Sequence, residues 1–104
     1  MFTHVGMLTL KPGSTDADRQ FIIDGLSALV GEIDGLVSVQ AGYDLGLREG
    51  NASMVFLLSF DSAEAWQAYQ DAESHKAVIR ERIVPVLESK AFVQVADLKQ
   101  TAHV

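Results

Sequence analysis

The stretch Ala52–His75, ASMVFLLSFDSAEAWQAYQDAESH, limits what this chain can fold into more than any other. Met54, Phe56, Leu58 and Phe60 alternate onto one face of a strand, and Ser53, Val55, Leu57 and Ser59 onto the other. The first face is wholly apolar and the second mixes two apolar residues with two serines, so a sheet built on this strand needs cover on both sides. Asp61 offers an N-cap, with Glu64 in the capping-box position. On the helix that follows, Ala65, Trp66 and Tyr69 share a face, and His75 lies just beyond it.

The flanking segments supply partners for this unit. Met1 to Lys11 alternates as a strand, with Phe2, His4, Gly6, Leu8 and Leu10 on one side and Thr3, Val5, Met7 and Thr9 on the other; Pro12-Gly13 breaks it. A helix starts where Ser14, Thr15 and Asp16 compete to cap, and its stripe of Ile22, Leu26, Leu29 and Ile33 runs to a stop at Gly35. Leu36 to Tyr43 reads as a second strand, and Asp44 to Asn51 as a polar loop. After His75 a second helical piece extends toward Pro85, which disturbs it. Ala91 to Leu98 is the last strand, and Lys99 to Val104 a frayed tail.

Strand, helix, strand, strand, helix in two pieces, strand is the order of an α+β, ferredoxin-like fold: a four-stranded antiparallel sheet with helices on one face. At 104 residues the chain forms a single domain, with its core spanning about 2–98. Nothing remains to cover the opposite face, where Val5, Met7, Val55 and Leu57 sit among Thr and Ser. A second copy is the simplest cover, which predicts a homodimer through the helix-free face, a dimeric α/β barrel.

Composition narrows the partners. A net charge of −6 with scattered Lys and Arg gives no basic face, which argues against nucleic acid. No apolar run approaches the ~20 residues of a membrane span, and no signal peptide is visible. With no cysteine there is no thiol chemistry, in keeping with a cytoplasmic protein. No His or Cys spacing nominates a metal site, and no cofactor motif is present, so neither is expected. Asn51-Ala52-Ser53 matches a glycosylation acceptor, a chance match without a secretion signal.

The early histidine in THVGMLTLK, the strand ending in SFDS, AWQAYQDAESH and the closing VQVADL together resemble the stress-responsive dimeric α/β-barrel family, over about Phe2 to Leu98. The resemblance is most specific at His4 and at the Tyr69 to His75 segment. It implies a pocket between sheet and helices in which His4, Tyr69 and His75 surround a small molecule. In olivetolic acid cyclase, a plant member that closes a polyketide chain without metal or organic cofactor, the histidine matching His75 is assigned as base, with the tyrosine matching Tyr69 beside it. The family commonly carries His-Pro-x-His at the end of the helix; here Ala72-Glu73-Ser74-His75 lacks the first His and the Pro.

The candidate catalytic residues are therefore His4, Tyr69 and His75. A buried imidazole tends toward neutrality, a tyrosine hydroxyl can hold a carbonyl or enolate oxygen, and His75 can serve as general base. Gly6, Leu8, Phe56 and Leu58 from the sheet and Ile22, Leu26, Trp66 and Val78 from the helices are the expected lining. The ligand is a small, largely apolar carbonyl or aromatic compound, and the chemistry enolisation or aldol type. A non-catalytic binder or stress-linked structural dimer stands against this, with His4 a core histidine bonded to a backbone carbonyl, Tyr69 and Trp66 packing residues and His75 exposed. A cofactor-independent monooxygenase is a third alternative on the same architecture.

Overall fold

The computed structural model describes residues 1–104. Strands β1 (Phe2–Leu10), β2 (Leu36–Tyr43), β3 (Met54–Phe60) and β4 (Leu87–Val95) form one sheet in the order β2-β3-β1-β4, with every neighbouring pair antiparallel. The two strands with the cleanest period of two, β1 and β3, lie at the centre. Their register sets His4 opposite Leu58, Gly6 opposite Phe56 and Leu8 opposite Met54. This is the ferredoxin-like arrangement.

Helices α1 (Asp16–Ser27), α2 (Ala63–Asp71) and α3 (Glu73–Val78) cover one face. Thr15 caps α1 in a full capping box with Asp18. The α1 stripe buries Ile22, Leu26, Leu29 and Ile33 as expected, but the helix stops at Ser27 rather than near Gly35. Gly31 and Gly35 adopt positive φ, which turns the chain while keeping Leu29 and Ile33 in the core. The cap of α2 is Ser62, whose hydroxyl accepts from the Ala65 N–H; Asp61 instead donates its own N–H to the Gly35 carbonyl and so is not the cap.

After α3 the helix widens into a π turn, Ile79–Ile83, and tightens into a 3₁₀ turn, Val84–Val86, which contains Pro85. The Arg82 guanidinium lies 4.1 Å from the centre of the Phe21 ring and donates to the Phe21 carbonyl at 2.7 Å, tying this segment to α1. Gly25 permits that approach, because a Cβ there would collide with the Arg82 side chain. Strand β4 begins at Leu87 and ends at Val95, earlier at both ends than the Ala91–Leu98 span the pattern suggests. Its pairing with β1 starts at Leu10–Leu87 across a bulge, so long-range hydrogen bonding rather than local alternation sets its start.

Ile22, Leu58 and Phe60 are fully enclosed between sheet and helices, with Leu8 and Leu26 nearly so. The reverse face carries no helix. There Val5, Val55 and Leu57 are half-buried, while Met7 is 47% and Val93 52% exposed. Truncating the helix side of the sheet leaves a cavity that the surrounding core cannot fill. Leu58→Ala is therefore expected to lower the unfolding free energy by about 2–5 kcal/mol, read as a shift in the urea midpoint at unchanged m-value.

Candidate functional site

His4, Tyr69 and His75 come together at one cavity of about 80 Å³ on the helix side of the sheet. β1 delivers His4 pointing toward the helices, and His4 is only 8% exposed. α2 delivers Tyr69, which is 2% exposed, and α3 begins its first turn just before His75. The Tyr69 and His75 rings are stacked at 3.8 Å between centroids with an interplanar angle of 32°. His4 lies 6.3 Å from the Tyr69 ring and 5.3 Å from Phe92.

Burial sets the charge state of the cluster. Burial lowers the pKa of His4 to about 4, and the neighbouring His75 adds to the shift. His75 is likewise lowered by burial; the Gln70 and Tyr69 backbone opposes this in part, and Lys76 reinforces it. Burial also pushes the Tyr69 hydroxyl up, so it keeps its proton throughout the neutral range. Near pH 7 the cavity thus holds two neutral imidazoles and a protonated phenol.

The hydrogen bonds distinguish the two histidines. Gln94, directly opposite His4 on β4, brings its side-chain nitrogen to 3.0 Å from His4 Nδ1. With the amide donating, Nδ1 accepts and the ring proton sits on Nε2. The partner is thus a side chain and not the backbone carbonyl that a core histidine suggests. His75 Nδ1 and Trp66 Nε1 are buried without a well-formed hydrogen bond, although the Gln70 and Tyr69 backbone lies near enough to His75 to favour its charged form. A buried nitrogen without a partner is uncommon in native proteins and calls for a reason.

Of the expected lining, Leu8, Leu26 and Phe56 face the cavity. Gly6, Ile22, Leu58, Trp66 and Val78 do not. Ile22 and Leu58 are core, and Trp66 packs between Phe2 and His4, 5.3 and 5.9 Å from their rings. Gly6 acts indirectly, for its missing side chain leaves the space that the Phe56 ring occupies. The remaining wall is Ile79, Ile83, Val84, Leu87, Lys90 and Phe92. The apolar π-turn residues were visible in sequence only as a helical continuation, and Lys90 and Phe92 became wall residues once β4 paired with β1.

A larger groove of about 440 Å³ lies at the β2–β3 loop, with Leu45 and Leu47 at its edge. Its one carboxylate, Asp44, accepts from the Gly46 N–H and the Asn51 amide, bracing the loop itself. It brings together no pair of groups suited to proton transfer. No three His, Cys, Asp or Glu side chains are placed to hold a metal ion, and no helix is long and apolar enough to cross a membrane.

The stress responsive A/B barrel domain matches residues 2–99, nearly the whole chain. The chain belongs to this family. A Dabb family protein with a ferredoxin-like fold from Mesorhizobium loti is similar at 20% identity, covering 94% of this chain and 97% of that one, with a TM-score of 0.74. A dimeric ferredoxin-like protein of unknown function from Thermobifida fusca is 29% identical over 91% of this chain and 89% of its own, with a TM-score of 0.78. The hydroxynitrile lyase of Passiflora edulis shares the fold at 14% identity, covering 97% and 96%, with a TM-score of 0.80. No curated protein matches the chain.

The depressed histidine titrations in this Dabb domain link its stability to acid. A histidine whose folded pKa lies below its unfolded value of 6.5 binds fewer protons when folded, so stability is fully present above 6.5 and lost as pH falls toward about 4. The urea midpoint is expected to decline across that window, and the decline to flatten in His4→Gln, as measured by fluorescence of the single tryptophan.

Proposed function

We propose that this Dabb domain is a homodimer that binds a small, largely apolar carbonyl compound and carries out acid/base chemistry on it with its own side chains. The observation that carries this reading is the Tyr69–His75 stack: a neutral imidazole whose buried Nδ1 makes no well-formed hydrogen bond, pressed against a protonated phenol at the wall of a largely apolar cavity. In this reading His75 takes a proton from the carbon beside the carbonyl, and Tyr69 donates a hydrogen bond to the enolate oxygen as charge builds there. His4, its proton held on Nε2 by Gln94, is a second donor. The same base taking a cyanohydrin's hydroxyl proton would let the carbonyl form as the carbon–cyanide bond breaks, with the proton returned to the departing cyanide; this is the chemistry named by the Passiflora edulis neighbour.

The competing reading is a binding module without turnover, and one observation favours it. Gln94 satisfies His4 Nδ1, which is all that a structural histidine in a core requires. Two assays separate the readings: deuterium exchange beside the carbonyl of phenylacetaldehyde followed by NMR, and cleavage of acetone cyanohydrin. Catalysis predicts that the protein accelerates at least one, and that His75→Ala and Tyr69→Phe each reduce the rate about tenfold or more while the fold persists. Rates indifferent to both substitutions would leave the binding module.

The dimer is supported by the apolar character of the helix-free face and by the dimeric Thermobifida fusca relative. Each Å² of apolar surface removed from water contributes roughly 25 cal/mol before association costs. Met7 and Val93 are exposed in the single chain, so acidic residues there are compatible with folding. Met7→Asp with Val93→Asp is expected to convert a dimer to a single chain of 11.3 kDa in light scattering, with the circular dichroism unchanged. A wild-type monomer at micromolar concentration would overturn the dimer.

A further inference from the structure

We propose that Lys90 is a recognition residue for an anionic substrate: its ammonium, at the mouth of the His4–Tyr69–His75 cavity, holds a carboxylate on the molecule whose carbonyl reaches the inner cluster. The inference rests on the ligand-binding role proposed for that cavity, and it narrows the substrate to small oxo acids.

Lys90 supplies the only cationic side chain of the cavity wall, and no acidic residue lines it. Arg19 is engaged with Asp16, Arg80 with Glu73 and Glu81, and Arg82 with the Phe21 carbonyl and ring; Arg48, Lys76 and Lys99 are unpaired like Lys90, but none of them lines the cavity. Lys90 makes no ion pair, and its Nζ stands 5.6 Å from the centre of the Phe92 ring, itself part of the wall. An unpaired ammonium beside an apolar opening favours a ligand that brings the missing negative charge.

The strand register sets the spacing. Lys90 sits opposite Leu8 and Gln94 opposite His4, so Lys90 and the histidine lie about 13 Å apart along the sheet at a strand's rise of about 3.3 Å per residue. The flexible lysine stem shortens this gap, with Nζ leaning over the Phe92 ring, whose centre is 5.3 Å from that of His4. A 2-oxo acid, with its two groups on adjacent carbons, spans less of that gap than a longer oxo acid. The fitting class has a ketone or aldehyde and a carboxylate separated by several bonds.

An edge strand also gains from a lysine that discourages sheet-to-sheet association, and such a guard is indifferent to ligand charge. The test is therefore a comparison of 4-oxopentanoate with its uncharged methyl ester, titrated by NMR with the His4 and His75 imidazole signals as reporters. The wild type is expected to bind the acid roughly fivefold more tightly than the ester, with the preference weakening in salt. Read as the ratio of acid to ester affinity within each variant, Lys90→Gln removes the preference and Lys90→Glu reverses it. Equal binding of acid and ester by the wild type overturns the role of Lys90 and leaves the cavity reading intact. If neither molecule moves the imidazole signals, both readings fall.

Discussion

The Phe56 ring fills the space that Gly6 leaves empty, and that seat fixes one wall of the cavity. A Cβ on Gly6 would collide with that ring, so the two central strands are matched residue to residue at the point where their helix face must turn from core into cavity wall. Seated there, Phe56 stands 5.8 Å from His4 and 6.2 Å from Phe92, which makes three aromatic groups from three strands into one surface. A bulkier residue at position 6 would force this ring, part of the cavity wall, out of its place. The sheet thus shapes the site through a missing side chain as much as through those present.

What could be read from the sequence followed from how local the responsible interactions are. The strands β1 and β3 alternate cleanly because each has one face wholly committed to the core, and their bounds could be read almost to the residue. The helical stripe through Leu29 and Ile33 correctly identified buried residues yet overstated α1, since two glycines with positive φ keep those side chains inside after the helix has ended. Half of the cavity wall was illegible for a different reason. Ile79 and Ile83 face the cavity through a π turn that departs from the helical period, and Lys90 and Phe92 through a pairing with β1 more than eighty residues away in sequence. His4, Tyr69 and His75 were nominated by resemblance and residue chemistry, and their convergence rests on tertiary packing that no window of sequence contains.

Burial, more than any charged neighbour, gives the cluster its electrostatic character. Each imidazole loses hydration, and a proton on one repels a proton on the other, so the site resists holding two positive charges. The phenol is pushed the opposite way by the same loss of water. Three groups that in water would titrate over a wide range are thereby held neutral together, each still able to exchange or share a proton. The difference between the histidines then lies in hydrogen bonding: Gln94 occupies Nδ1 of His4, whereas Nδ1 of His75 has no well-formed hydrogen bond.

Strand β4 joins the two faces of the sheet. Along it, Lys90, Phe92 and Gln94 point toward the cavity side, while Ala91 and Val93, opposite Met7 and Val5, point to the helix-free side. The strand is exposed along nearly its whole length, and only one of its edges is paired. A second copy packed over Val93 would stiffen the backbone from which Phe92 and Gln94 project, without touching either side chain. The period of two separates association from ligand contact residue by residue, yet both depend on the same strand being held in place. A cavity mouth built on an edge strand is therefore only as rigid as whatever covers the reverse of that strand.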